Sequence, residues 1–194
     1  MRRALPFLGA AALVAVLVIG LTQAGGGDDA PTDPGPSLAE LRRAVSGAPG
    51  PLAALYAEGN RVVPASVEDF ERRLRSLRGY PLVVNVWGSW CGPCKLEFVY
   101  FQRAVQRLGQ RVAFLGINLV DSVENAEEFL AERPVPYPSL EDGDARITRE
   151  VAPGSRGAPV TVFYDADGER TFIHQGQYSS LEDLLADIDR HARA

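Results

Sequence analysis

Cysteine and histidine are scarce in this chain of 194 residues, with two of each. A small secreted domain held by disulfides would scatter more cysteines at wider spacing, so a disulfide framework is excluded. A structural zinc site needs four ligands, usually from two close pairs. Here both cysteines sit in one pair, Cys91-Gly92-Pro93-Cys94, and His174 and His191 lie too far apart to form a His-x₃₋₅-His half-site. No metal and no other cofactor is expected. Positive charge is also in short supply: 20 Lys and Arg against 25 Asp and Glu leave a net charge of −5. Phosphate binding depends on clustered Lys and Arg, so a nucleic-acid partner is excluded. The group Arg72, Arg73, Arg75 and Arg78 reads as a solvated helix face.

What is present is a globular composition, 46% hydrophobic, which rules out disorder for most of the chain. Arg2 and Arg3 precede an uncharged apolar run from Ala4 to Leu21. As a helix this run spans about 27 Å, enough to cross the hydrocarbon core. No Lys or Arg follows until Arg42, so the positive-inside rule keeps the N-terminus cytoplasmic and places the rest outside. Residues 1–21 are expected to be a signal anchor, giving a single-pass membrane protein with an extracytoplasmic domain. The alternative is a signal peptide cut after Ala24 and a secreted product. Residues 22–36, rich in Gly, Pro and Asp, read as a flexible linker.

Residues 37–61 read as a helical extension, with helices from Ser37 to Val45 and from Leu52 to Gly59. Ser66 and Asp69 look like an N-terminal capping pair for a helix running to Gly79. Leu82 to Trp87 is an almost continuous apolar run, the pattern of a strand buried on both faces. A helix follows from Gly92 to Gly109, with Leu96, Val99 or Tyr100, Ala104 or Val105, and Leu108 along its inner side. Val112 to Ile117 is a second buried strand, and Ser122 caps a helix to about Arg133. One or two helical turns are expected between Asp144 and Val151. Val160 to Tyr164 and Arg170 to His174 form a hairpin around Asp165-Ala166-Asp167-Gly168. A last helix runs from Ser179 or Ser180 to about His191, with Leu181, Leu184, Leu185 and Ile188 inward. The order predicts a three-layer α/β sandwich around a mixed sheet, spanning residues 62–194.

The cysteine pair follows a buried strand directly and opens a helix. A thiolate there meets unpaired backbone N–H groups and the positive end of the helix dipole. Such cysteines have pKa values lowered from about 8.5 into the range of about 3.5–7.5. Cys91 is the expected nucleophile and Cys94, one turn on, the resolving thiol. Trp90 and Trp87 are expected to shield and shape the site, with Gly92 and Pro93 stiffening the loop between the sulfurs.

The run from Asn85 to Phe98, together with Gly116-Ile117-Asn118, Gly157-Ala158-Pro159-Val160-Thr161-Val162-Phe163 and Asp165-Ala166-Asp167-Gly168, resembles the TlpA/ResA (DsbE/CcmG-like) branch of the thioredoxin-like superfamily. The resemblance covers Val62 to the C-terminus and implies that branch's fold and its protein-disulfide oxidoreductase activity. It implies that Pro159 is the cis-proline facing the cysteine pair and that Trp90, Gly92, Pro93, Ala158 and Pro159 line the groove for a client chain. Glu97 matches an acidic residue that tunes the thiols in this branch. Three residues past Cys94, it lies on the same side of the helix, able to take a proton as the mixed disulfide resolves. A solvated helix glutamate is the other reading of that position. Asn85 stands where cytosolic thioredoxins carry a buried aspartate, which removes one candidate base. His174 is expected to be structural on the last strand and His191 to lie in a solvated turn.

A Gly-Pro insert is of the thioredoxin type, with a potential of about −270 mV against about −120 mV for a strong oxidant. The chain is therefore expected to reduce disulfides of client proteins outside the membrane. The resemblance suggests apocytochrome c as client, in cytochrome c-type biogenesis, and a membrane thiol carrier of the CcdA/DsbD type as electron donor. The alternative is a non-enzymatic haem or metal chaperone, or an adaptor with a thioredoxin fold. Copper chaperones of this fold need Cys-x-x-x-Cys, one residue longer than the spacing here, and no Thr-x-x-Cys segment supports a peroxidase.

Overall fold

A computed structural model describes residues 35–193. The apolar leader and the linker up to residue 34 lie outside the described residues. Within those described, no helix is long and apolar enough to cross a membrane.

Local capping signals set most helix starts. The first helix, α1 (Leu38–Val45), opens with a capping box in which the Ser37 hydroxyl accepts from the Glu40 N–H and the Glu40 carboxylate accepts from the Ser37 N–H. The second, α2 (Gly50–Tyr56), carries Pro51 in its first turn, where the missing N–H is harmless, and so begins two residues before Leu52. After β1 (Val62–Val63), Ser66 and Asp69 cap α3 (Val67–Ser76) in the same reciprocal way. Then follow β2 (Leu82–Trp87), α4 (Gly92–Leu108), β3 (Ala113–Leu119) and α5 (Val123–Glu132), the last capped by Ser122. The chain continues through β4 (Ser139–Asp142), α6 (Arg146–Val151), β5 (Val160–Tyr164), β6 (Arg170–Gln175) and α7 (Leu181–His191). Ser180 is the cap of α7.

The strands form one mixed sheet in the order β1-β4-β3-β2-β5-β6. The first four run parallel, β5 is antiparallel to β2, and β6 is antiparallel to β5. Paired on both edges, β2 is central, and each of its six residues is buried, as the unbroken apolar run required. Strands β1 and β4 were not expected from the sequence. They are two and four residues long, show no alternation, and exist because they pair with each other and with β3.

Ring contacts locate the helix layers. Trp87 and Phe163, on the Asn85 face of the sheet, meet Phe98 of α4, Phe129 of α5 and His191 of α7. Tyr164 points to the opposite face and meets Phe70 of α3, against which α6 packs. The architecture is therefore a three-layer α/β sandwich.

Two expectations are corrected. The buried side of α4 carries Cys94, Glu97, Phe98, Phe101, Gln102, Ala104 and Val105, while Leu96 is 39% exposed. Two phenylalanines one turn apart fill more of the space over the sheet than Leu96 could, and they rotate the helix accordingly. His191 is not a solvated end residue: its ring stacks on Phe172 at 4.2 Å between centroids.

Candidate active site

Strand β2 stops at Trp87 and α4 starts at Gly92, which leaves Cys91 as the N-cap residue, in an extended conformation. Its sulfur accepts from the Cys94 N–H at 3.2 Å. Cys91 and Cys94 form a disulfide with an S–S distance of 2.00 Å and Cα atoms 5.3 Å apart. Both cysteines are buried, whereas Gly92 and Pro93 in the first turn are exposed.

The two tryptophans divide the work that the sequence assigned to them jointly. Trp87 is fully buried, its indole N–H donating to Ser139 Oγ at 3.0 Å and its rings packed on Phe98 and Phe129. It packs inside, between the end of β2 and the helices on that face of the sheet. Trp90 is 54% exposed, and its N–H donates to the carbonyls of Leu119 and Val120. That bond ties the cysteine loop to the loop after β3. Asp121 adds a second tie: its carboxylate accepts from the Ser89 N–H at 2.6 Å, the Ser89 hydroxyl at 2.9 Å and the Asn118 amide at 3.1 Å. Of the five large hydrophobics exposed among the described residues, Trp90, Leu96, Val120 and Val123 all lie on these two loops or the helix turns leaving them. They give the rim beside Cys91 an apolar character.

The Ala158–Pro159 peptide is cis. Val160 pairs with Val86, so Pro159 sits one residue further along, level with Trp87, where β2 ends. Its carbonyl accepts from the Gly176 N–H at 3.0 Å. Lys95 is exposed.

Glu97 resolves the choice left open by the sequence. It is 0% exposed, one turn beyond Cys94 on the same buried side of α4. Asn85 Nδ2 donates to its Oε1 at 3.1 Å, and the Tyr178 N–H donates to its Oε2 at 2.9 Å. Burial raises its pKa to about 7, against the opposing effect of these two donors. A carboxyl with that value is half ionised near neutrality, which suits a group that gives and takes protons. Asn85, itself 1% exposed, holds it from the strand below.

Tyr178, Asp121 and Thr161 were not singled out by sequence. Tyr178 acts through a backbone N–H, which no residue type announces. Asp121 precedes a serine cap, an ordinary position for an acid. Thr161 sits in an apolar strand with nothing to mark it. His174 lies on β6 and stacks on Tyr178 at 3.9 Å, its Nδ1 3.6 Å from Asp187. Among the described residues, no group of three or more His, Cys, Asp or Glu could hold a metal ion. The four arginines of the α3 region do not act together: Arg72 pairs with Asp69, Arg73 makes two bonds to Glu58, and Arg75 reaches Glu71 at 3.5 Å.

Comparison with known proteins places this arrangement. A family model described as the AhpC/TSA family matches residues 62–172. The chain belongs to that family. Within it, the chain is similar to the thiol:disulfide interchange protein DsbE of Pseudomonas aeruginosa, with 38% identity over 106 residues, covering 53% of this chain and 56% of that protein. Against DsbE of Yersinia pestis the identity is 30% over 168 residues, covering 84% of this chain and 78% of the relative. A DsbE-like thiol–disulfide oxidoreductase family is thus its setting. For the Pseudomonas relative, and likewise that of Vibrio cholerae, the match spans about half the relative's length. Among solved structures it is similar to DsbF of Mycobacterium tuberculosis, with 26% identity and a TM-score of 0.54 over 60% of this chain and 84% of that one. The secreted disulfide oxidoreductase of the same organism, described as homologous to Escherichia coli DsbE, gives 26% identity and a TM-score of 0.52, covering 60% and 85% of the two chains. The thioredoxin-like fold of this family member accounts for the mixed sheet and for a cysteine pair at a strand-to-helix junction.

Proposed function

We propose that the chain is a dithiol–disulfide oxidoreductase that reduces disulfides of client proteins. The carrying observation is the Cys91–Cys94 pair capping α4 above a buried Glu97. In the reduced state the Cys94 N–H and the helix dipole stabilise a thiolate on Cys91. That thiolate attacks one sulfur of the client disulfide, forming a mixed disulfide and releasing the other client sulfur as a thiolate, which takes a proton from water. Cys94 then loses its proton, with Glu97 as acceptor, and its thiolate attacks the Cys91 sulfur. The client leaves as a dithiol, two electrons have moved to it, and the pair closes to the disulfide found here. Pro159 and Ala158 on one side, and Trp90 with Gly92 and Pro93 on the other, border the groove for the client's extended chain.

Reduction is the favoured direction because the Gly-Pro insert lacks a histidine, the residue that stabilises the reduced form of strong oxidants. The apolar leader behind Arg2 and Arg3 supports a domain tethered on the extracytoplasmic side. The resemblance to the TlpA/ResA branch supports apocytochrome c as client and a CcdA/DsbD-type membrane thiol carrier as the donor that restores the dithiol. The decisive experiment is substrate trapping. Cys94→Ser should accumulate mixed disulfides through Cys91 and identify the client, while Cys91→Ser should accumulate none. Absence of insulin-disulfide reduction by the wild type, or a potential near about −120 mV, overturns the reading of a reductant.

A further inference from the structure

Asn85 donates from Nδ2 to Oε1 of Glu97, and its own Oδ1 has no hydrogen-bond partner among the described residues. Thr161 is 0% exposed, and its hydroxyl is likewise without a partner there. The two residues are not remote. The antiparallel register of β2 and β5 makes Asn85 and Thr161 Cα partners. Directly opposed residues project from the same face, with Cβ atoms about 4.5–5.5 Å apart. An acceptor lone pair and a hydroxyl donor, both buried and both unpaired, therefore stand side by side in the core. Buried polar atoms of native proteins find partners, and these two opposed groups are each other's complement as donor and acceptor.

We propose that Thr161 is a positioning residue for Glu97: its hydroxyl donates to Oδ1 of Asn85, Asn85 donates from Nδ2 to Oε1 of Glu97, and the three residues form one directed chain of donors ending on the carboxylate. The physical consequence comes from polarisation. A proton donated to a carboxamide oxygen draws electron density toward that oxygen and makes the amide N–H a stronger donor. A stronger donor favours the ionised carboxylate over the neutral acid. The chain thus opposes the burial that raises Glu97. Thr161 touches neither sulfur nor client in this scheme. It acts through Asn85.

Other groups also face Glu97. Tyr178 donates its N–H from the segment ahead of α7, and Tyr137, from the segment before β4, carries a hydroxyl whose pKa is raised, chiefly by burial and then by the Glu97 charge. Asp187 of α7 accepts from the Tyr178 hydroxyl, and His174 is the register partner of Thr161 on β6. Cys94 lies one turn away on α4. Replacing the hydroxyl of Thr161 changes none of these residues.

The proposal rests on reading Glu97 as the proton acceptor of the dithiol, but its test does not require exchange activity, so the two can fail separately. In the detergent-solubilised, oxidised full chain, the Glu97 carboxyl carbon is titrated by NMR in the wild type and in Thr161→Val, Thr161→Ala and Thr161→Ser. The midpoint should rise by roughly half a pH unit or more in the valine and alanine variants, the scale of losing one polarising hydrogen bond behind a donor, and should return to wild type with serine. An unmoved midpoint in the hydroxyl-free variants overturns the proposal. So does a serine variant that behaves like valine, because packing and not the hydroxyl would then be the cause. If the hydroxyl-free variants do not fold, the wild type decides: the Asn85 carboxamide and Thr161 Cβ resonances must move with the Glu97 midpoint, and a flat Thr161 signal rejects the chain.

Discussion

The backbone N–H of Tyr178 reaches 2.9 Å from Oε2 of Glu97, across 81 positions of sequence. The segment ahead of α7 thereby closes over the base of the active-site helix and removes Glu97 from solvent. Tyr178 is itself 2% exposed, donates its hydroxyl to Asp187 at 2.8 Å and stacks on His174. Its phenol is pushed well above the usual tyrosine value, first by burial and then by Asp187. The Glu97 carboxyl is therefore held by a part of the chain far from the cysteine motif.

Glu97 should make the stability of the oxidised protein fall as pH rises. Its carboxyl is near 4.5 in the unfolded chain and near 7 in the folded one. Below about pH 4.5 both states hold the proton and the full stability is present. As pH climbs toward 7, the unfolded state ionises first, and up to ~3 kcal/mol is lost. Urea titrations between pH 4 and 8 should show this decline in the wild type and a much flatter dependence in Glu97→Gln. An equal slope in both means that Glu97 is not the group responsible. The same variant should slow resolution of the mixed disulfide most strongly around neutral pH, read by stopped-flow tryptophan fluorescence.

Trp90 should matter more for clients than for folding. Its ring is half exposed and its N–H joins two loops through the Leu119 and Val120 carbonyls. Trp90→Phe removes those bonds at a cost of about 1 kcal/mol and retains much of the apolar surface. Trp90→Ala loses the surface as well, so KM for a protein disulfide should rise several-fold beyond the phenylalanine variant. Equal KM values for the two variants would show that the ring makes no client contact.

Gly116 and Ser139 are a matched pair under Trp87. A Cβ on Gly116 would collide with the Ser139 hydroxyl and approach Trp87 Nε1 to 3.0 Å. Gly116→Ala should destabilise by about 1–3 kcal/mol through overpacking. Ser139→Ala, which leaves the buried indole N–H without its acceptor, should cost a similar amount, about 1–3 kcal/mol. Thermal melts decide both, and a double variant less destabilised than the sum of the two would confirm that they share one space.

Asp142 should be indispensable to α6. It is 2% exposed, and its carboxylate accepts from the N–H groups of Ile147 and Thr148 and from the Thr148 hydroxyl, at 3.0, 2.8 and 2.6 Å. Asp142→Ala should cost about 2 kcal/mol or more, as a lost cap whose donors remain buried. Hydrogen exchange should show the loss concentrated in Arg146–Val151; protection there equal to wild type would reject the cap.

The linear chain alone announced the cysteine pair, the capping pair of Ser66 and Asp69, the buried β2 and the hairpin of Val160–Tyr164 with Arg170–His174, because each depends on neighbours a few residues apart. A serine three residues before an acid, or six apolar residues in a row, constrains the backbone wherever it occurs. Folding in three dimensions decided the rest. Strands β1 and β4 carry no periodic signal, and their partners come from 77 positions apart for Val62 and Ser139. The inner face of α4 was set by which side chains best filled the space over the sheet, so Glu97 went in and Leu96 stayed out. The state of Glu97 depends on Asn85 below and Tyr178 above. A carboxyl's acidity is a property of its surroundings, and those surroundings exist only once strand, helix and the distant Tyr178 segment have met.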